Sequence, residues 1–375
     1  MKNLLYFILI VFLTSGCIDK YNPQGIEQVS DLIVIDGSVT NGESVFKISR
    51  SVGLLDNLSQ SKNLYINDAS VYVEKDNGER IEGTLNGEGK YTVVTGELDA
   101  ETKYRLYVAV EGEEYRSGFL SPIFTSEVDS ISILKEGPGK NISVHVSTHD
   151  PKNQSRYYMW SYEEHWEVKA PMFANYGELD GQFSYFSLTT PRNTYYCWCR
   201  DSSRAIFLAS TEKISENFIH QKKIKDIGRS NSRFSELYYI KVKQMQLRKE
   251  AYDYYSNVQK NTEQTGGLFS PMPSEIKGNI VCLANPKRPV IGYVEVTTIT
   301  TKDIFRNGTG LYENSYSMSN CYESVTEEEE FAYPKYAFYY YMPPYVTYAP
   351  YECVDCRRQA GASKNRPAFW ANDHY

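Results

Sequence analysis

Between Asp31 and Thr125 the chain never runs far before it must turn. Turn signals recur roughly every eight to twelve residues, which leaves room for short strands and little else. Leu32-Ile33-Val34-Ile35 is a compact apolar run that stops at Asp36-Gly37, and Val45, Lys47-Ile48 and Arg50 alternate. Ala69 to Glu74 alternates in the same way before the tight turn Asp76-Asn77-Gly78-Glu79. Asn86-Gly87-Glu88-Gly89 is a second turn, and Tyr104 to Val110 returns through Glu111-Gly112 as Tyr115-Arg116-Ser117. Successive strand side chains point to opposite faces, so such runs bury one face and wet the other. The pattern predicts a β-sandwich of immunoglobulin or fibronectin type over residues 31–125, a common spacer or docking module.

Residues 126–375 read as a larger, mainly antiparallel β domain with one helix. Ile131 to Leu134 and Ile142 to Ser147 are strands joined by Gly137-Pro138-Gly139. Tyr157 to Tyr162, Trp166 to Val168, Ala205 to Ala209, Leu237 to Val242 and Val290 to Val296 continue the theme. Between the last two the period changes. Ala251, Tyr252, Tyr255 and Val258 fall on one face of a helix spanning about 248–262, closed by Gly266-Gly267.

The other end of the chain carries a targeting signal. Lys2 precedes an unbroken apolar run, Leu4 to Leu13, then Thr14-Ser15-Gly16 and Cys17. A charged start, a short apolar core and small residues before a cleavage point describe an export leader, residues 1–16. A cysteine at the cut predicts a lipoprotein, with Cys17 acylated and residues 17–30 a tether. Each buried methylene contributes about 0.8 kcal/mol, so several acyl chains would hold the protein on a membrane.

Composition narrows the partners. The formal net charge is −7, one unit more negative once Lys2 leaves with the leader. That balance speaks against nucleic acid and against an electrostatic grip on anionic lipid. Tyrosine is abundant, 33 against 16 Phe, and its ring with a polar tip suits half-buried strands and wet contact surfaces.

Six cysteines follow Cys17: Cys197, Cys199, Cys282, Cys321, Cys353 and Cys356. In an oxidising compartment they read as disulfides. Cys353-Val354-Asp355-Cys356 also has redox or half-zinc-site spacing, but its flanks lack the thioredoxin context and Cys197-Trp198-Cys199 has the wrong spacing for a second half. Cys353 and Cys356 lie so close that each is expected to reach a distant partner, Cys321 for one and the 197/199 pair for the other. Cys282 is then expected to take the cysteine left over.

Ile240-Lys241-Val242-Lys243-Gln244, Glu250-Ala251-Tyr252, Asn261 through Phe269, Gly278-Asn279-Ile280 and Val290-Ile291-Gly292-Tyr293 are similar to the most recognisable block of domain of unknown function 4249, a family of Bacteroidota lipoproteins. Leu32 to Gly37 resembles its opening strand, and Cys353 to Arg357 with Gly361, Pro367, Phe369 and Trp370 resembles its closing motif. Cys282 and one of Cys197/Cys199 are additional to that pattern. The resemblance implies an outer-membrane lipoprotein whose gene commonly sits beside that of a TonB-dependent receptor. It implies no catalytic residues.

No constellation asks for catalysis, a cofactor or a metal. His145 and His149 share a strand face beside Asp150, and Glu163-Glu164 precedes His165, yet neither set has a third fixed ligand. No G-x-S-x-G elbow, phosphate loop or dinucleotide fingerprint is present. Glu327-Glu328-Glu329-Glu330 reads as a solvated loop. Aromatic density peaks at Tyr336, Tyr339, Tyr340, Tyr341, Tyr345 and Tyr348, where prolines 334, 343, 344 and 350 oppose a long strand. These rings either pack on the core or, with Arg357, form a contact surface. The expected function is a non-catalytic accessory or cargo-recognition subunit of a TonB-dependent transporter on the outer membrane, its cargo unreadable from sequence. A surface protein with a structural or adhesive role, independent of any transporter, is the alternative.

Overall fold

A computed structural model describes residues 32–52, 64–174, 176–179, 182–188, 193–264, 277–313, 321, 325–326, 336–342 and 345–370. The leader, Cys17, the tether and Glu327 to Glu330 lie outside the described residues. The fold is mainly β, built of antiparallel sheets with one long helix.

The first body holds β1 (Ile33–Gly37), β2 (Gly42–Arg50), β3 (Ser70–Lys75), β4 (Arg80–Leu85), β5 (Lys90–Gly96), β6 (Tyr104–Val110) and β7 (Glu113–Ser117). They form one sheet in the order β1-β2-β5-β4-β3-β6-β7, which folds over on itself at β4. The first half of β4 pairs β3, Tyr72 opposite Glu82; its second half pairs β5, Gly83 opposite Val93. The layer changes at Gly83, where a Cβ would sit 2.9 Å from the Val71 carbonyl oxygen. Glycine marks such corners because nothing larger lets two backbones approach. Alternate residues of both layers fill the core: Ile33, Ile35, Phe46 and Ile48 on one side, Val71, Val73, Leu106 and Val108 on the other.

The second body is also two sheets face to face. Its smaller sheet has β8 (Val128–Lys135), β9 (Ile142–His149) and β15 (Phe218–Ile227), with β9 in the middle. Its larger sheet is built on β10 (Tyr157–Lys169), edged by β13 (Tyr196–Ser202) and β14 (Phe207–Ser210) on one side and by β16 (Leu237–Leu247) and β18 (Ile299–Asn307) on the other. β11 (Tyr176–Leu179) and β12 (Gln182–Tyr185) form a separate hairpin. Val144 and Val146 of β9 meet Trp160, Tyr162 and Trp166 of β10 and Ile240 and Val242 of β16 in a second core. Tyr157 to Tyr162 and Trp166 to Val168, read as two strands, are one thirteen-residue strand.

Helix α1 (Lys249–Gln264) follows β16. Its predicted apolar face does the packing: Ala251 is fully buried, and Tyr252, Tyr255 and Val258 lie against Leu208, Leu247 and Tyr293.

The chain then returns to the first body. β17 (Ile280–Cys282) pairs β7, and residues 290–297 run parallel beside β1 through bridges at Val34–Ile291 and Val39–Val296. Ile280, Cys282, Val290, Val294 and Val296 thus join the first core. Val290 to Val296, read as a strand, makes only these isolated bridges. Gly292 has φ +149, and a Cβ there would lie 2.1 Å from the Ile35 oxygen; one on Gly278 would lie 1.7 Å from the Gly292 oxygen. Asn279 completes the seam, its side chain donating to and accepting from the Val294 backbone at 2.8 Å each.

Polar side chains join the two bodies. Gln246 is fully buried; its amide donates to Asp150 at 2.9 Å and accepts from the Ser126 N–H, while Thr297 donates to its carbonyl. Arg248 pairs with buried Glu295, and the same carboxylate accepts the Arg248 N–H at the start of α1. An anion at a helix N-terminus offsets the helix dipole and satisfies an otherwise orphaned donor.

Candidate functional site

The aromatic C-terminal segment is two short strands, β20 (Tyr336–Met342) and β21 (Tyr345–Pro350), paired with Tyr341 opposite Val346. A third short strand, β19 (Val325–Thr326), extends the ribbon along β21. Prolines 343 and 344 fall between β20 and β21 and Pro350 ends β21, so they limit strand length as the sequence predicts. The side chains of Tyr336, Tyr339, Tyr340, Tyr341, Tyr345 and Tyr348 lie outside the described residues.

The base of this hairpin is clamped to the second body. β21 runs directly into the short helix α2 (Tyr351–Val354), which carries Cys353. Cys353 is bonded to Cys321, and Cys356 to Cys197 on β13. Backbone bonds reinforce both: Met172 N–H to the Cys353 oxygen at 2.8 Å, and Cys356 N–H to the Thr194 oxygen at 2.9 Å. β13 is therefore tied to the segment just after the hairpin.

Two cysteines do not pair as expected. Cys199 and Cys282 are buried free thiols. Cys199 lies in the second core, two residues along β13 from Cys197, and Cys282 lies in the first core on β17. Different bodies bury them, so no disulfide can join them without unfolding one. Burial pushes the Cys199 thiol up to about 11, well away from the reactive thiolate range.

Arg357 is exposed and ion-paired. Its guanidinium forks onto Asp355 at 2.6 and 2.9 Å, and its pKa is raised chiefly by that hydrogen bond. Asp355 is itself buried and caps the turn through the Arg357 N–H. Of the other basic side chains of the tail, two find partners within it and one reaches back to β13. Arg358 lies over the Tyr351 ring, Lys364 donates to the Tyr196 oxygen, and Arg366 donates to the Trp370 oxygen. Trp370 is buried against Trp198, Tyr239 and Phe305, which pins the tail to the outer face of the larger sheet.

The histidine and glutamate sets separate. His149 is exposed and paired with Asp129 at 2.7 Å, whereas Asp150 turns inward and holds the turn that follows, accepting the N–H groups of Lys152 and Gln154. Glu163 faces out toward Lys243. Glu164 faces the second core and is fully buried. Its carboxylate accepts from Lys225 at 2.8 Å, from Arg233 at 2.9 Å and from the Tyr238 hydroxyl at 2.7 Å. Arg233 reaches on to Asp201 at 2.9 Å and stacks over Trp166. Burial and the Glu164 charge hold the Tyr238 phenol well above its ordinary pKa. Sequence reading passed over this cluster, yet one signal was present: Trp160, Tyr162, Glu164 and Trp166 share one face of a strand. A carboxylate in an aromatic stripe must find cations when it is buried.

Comparison with known families is decisive for kinship. The family described as Domain of unknown function (DUF4249) matches residues 18–303. The chain belongs to that family. The match ends before Cys321, so the clamp at 321–356 lies beyond it. No curated protein matches the chain. Several residues that carry the resemblance do structural work within the two bodies. Gly278, Asn279 and Gly292 stitch the returning segment to β1, and Gln244 accepts the Trp160 indole N–H at 2.7 Å. Among the described residues no group of acidic, cysteine and histidine side chains is placed to hold a metal ion, and no helix is long and apolar enough to cross a membrane.

Proposed function

We propose that this chain is a non-catalytic lipoprotein of the outer membrane, held there through Cys17, that docks on a TonB-dependent receptor as an accessory or cargo-recognition subunit. The observation that carries this reading is the clamp. Two disulfides and two backbone bonds converge on the base of one tyrosine-rich hairpin. Pre-ordering a contact segment lowers the entropy lost on binding, and tyrosine is the side chain that best combines apolar area with a polar tip. The leader ending at Cys17 supports membrane attachment, and the buried polar junction supports a body that transmits its position from tether to hairpin as one unit. In this mechanism the acyl chains fix height, the first body spaces the second from the lipid, and the hairpin makes the contact. Affinity purification of the tagged chain from detergent-solubilised outer membranes is expected to recover a large β-barrel receptor in stable proportion. Recovery of the chain alone would overturn the receptor role. A Cys17→Ser chain that still sediments with membranes would overturn the anchor.

A further inference from the structure

Away from the clamp, two hollows open on either side of the edge strand β15. One, of about 320 Å³, is walled by Tyr162, Phe207 and Lys225; the other, of about 510 Å³, by Asn141, Lys140 and His145. Lys223 and Asp226 line both. Each volume falls within the roughly 300–1,000 Å³ of small-molecule sites. Their chemistry is specific. Asp226 accepts from Asn141 on one oxygen at 2.8 Å and from Lys223 on the other at 3.2 Å, and each carboxylate oxygen keeps a second lone pair. Lys225 spends two donors, on Glu164 and on the Tyr162 hydroxyl, and an ammonium has three. His145 lines the larger hollow, and its Nδ1 is buried with no hydrogen-bond partner among the described residues.

The charges cancel. Lys223 is matched by Asp226, Lys225 and Arg233 by Glu164 and Asp201, and Lys140 by Glu136 on the same wall. Burial and nearby Lys223 hold His145 below its ordinary pKa and so neutral. A site without net charge gives an anion no advantage, since a charged ligand would lose hydration with no surplus partner. Nor is β15 an edge on which an extended peptide could continue the sheet, because two register shifts, between Ile219/Lys222 and Lys223/Lys225, break its ladder. What remains is an aromatic wall beside unspent donors and acceptors in close alternation. Hydroxyl groups, each donor and acceptor at once, match that alternation, and the apolar face of a sugar ring matches Phe207.

We propose that the paired hollows around Lys223 and Asp226 bind a neutral oligosaccharide, its ring faces against Phe207 and its hydroxyls on Asp226, Asn141 and Lys225. The site is argued from second-body residues alone and stands apart from docking on a receptor. Isothermal titration of the purified mature chain with maltohexaose, cellohexaose, xylohexaose and chitohexaose tests it, with polygalacturonate and a neutral hexapeptide as competitors. Saturable binding of at least one neutral hexasaccharide is expected, weakened fivefold or more by Phe207→Ala and by Asn141→Ala. Asn141 is exposed, so its variant keeps the test valid if Phe207→Ala fails to fold. No binding by any of the four, unchanged affinity in the variants, or a preference for polygalacturonate or the peptide would each overturn the site.

Discussion

The two bodies are built to the same plan, two sheets over an apolar core, but are held shut by different physics. The first body carries neither of the disulfides, and its ion pairs, Glu74 with Arg105 and Glu295 with Arg248, lie outside its apolar cluster; its sheet folds at Gly83, and its edge at β1 is covered when residues 290–297 return beside it. The second carries Glu164, Lys225 and Arg233 inside its core and two disulfides at its C-terminal end. One relies on backbone fit, the other on cross-links. Backbone fit tolerates no added atoms, whereas cross-links tolerate packing changes but depend on charge and redox state.

The largest effect should come where the fit is tightest. Gly278→Val or Gly292→Ala places a carbon about where the Gly292 or Ile35 oxygen already lies. Either change is expected to cost more than about 4 kcal/mol or to abolish cooperative folding of the first body, since strained and overpacked sites supply the upper tail of mutational effects. Denaturant unfolding followed by hydrogen exchange reads this directly. A wild-type midpoint in either variant would show that the seam can open without loss.

The second body should answer to charge instead. Glu164→Ala removes one anion and leaves Lys225 and Arg233 facing each other beneath Trp166, at a cost of about 3–5 kcal/mol. Replacing Glu164, Lys225 and Arg233 together by Leu, Met and Met is expected to cost less than the single change, because buried ion clusters and well-packed apolar ones are often equivalent. A triple variant that loses as much as the single one would assign the cluster a role beyond mutual neutralisation.

Reduction sharpens the same division. Opening Cys197–Cys356 and Cys321–Cys353 frees chain loops separated by 159 and 32 residues. Entropy released to the unfolded chain makes each worth about 3–5 kcal/mol, the longer loop more. Dithiothreitol is expected to lower exchange protection at β13 and residues 351–358 while β3 and β6 stay protected. Equal loss in both bodies would mean that the clamp supports the whole molecule.

Much of this was legible in the chain before its structure. Period-two runs at Val71 to Glu74 and Tyr104 to Val110 are strands, and the 3-4-7 face of α1 packs as its spacing requires. The nearness of Cys353 to Cys356 correctly forced distant partners, Cys321 and one of the 197/199 pair. What failed to show has physical reasons. β15 lacks an apolar stripe because Gln221, Lys222 and Lys223 protect a bulged edge, which blurs the period. β13 buries three successive residues, Cys197, Trp198 and Cys199, because the tail covers its outer face. The return of 277–297 to the first body is a long-range event that no local pattern encodes. At the proposed site Asp226 is ordinary in sequence: Lys223 lies three residues before it, but only the fold brings Asn141 to its other oxygen.

Acid separates the bodies most gently, and with opposite signs. The first body has no histidine, while His145 on β9 and His165 on β10 are both held below the ordinary imidazole value of 6.5 by burial. The folded second body therefore binds fewer protons than its unfolded chain, and stability present above pH 6.5 is lost as pH falls toward the folded values. Glu295 behaves the other way. It lies in the segment that completes the first core, and burial raises its pKa above the ordinary carboxylate value of 4.5 despite Arg248. Its folded form holds the proton more tightly than the unfolded one, so acidification from neutral pH through the window just above 4.5 adds stability there. Hydrogen exchange at about pH 6.5 and about pH 5, corrected for intrinsic rates, should show falling protection in β9 and β10 with none lost in β1 and β2. His145→Asn with His165→Asn is expected to flatten the first trend and Glu295→Gln the second. A uniform fall across both bodies would mean that the polar junction at Gln246 and Thr297 couples them too tightly for either to titrate by itself.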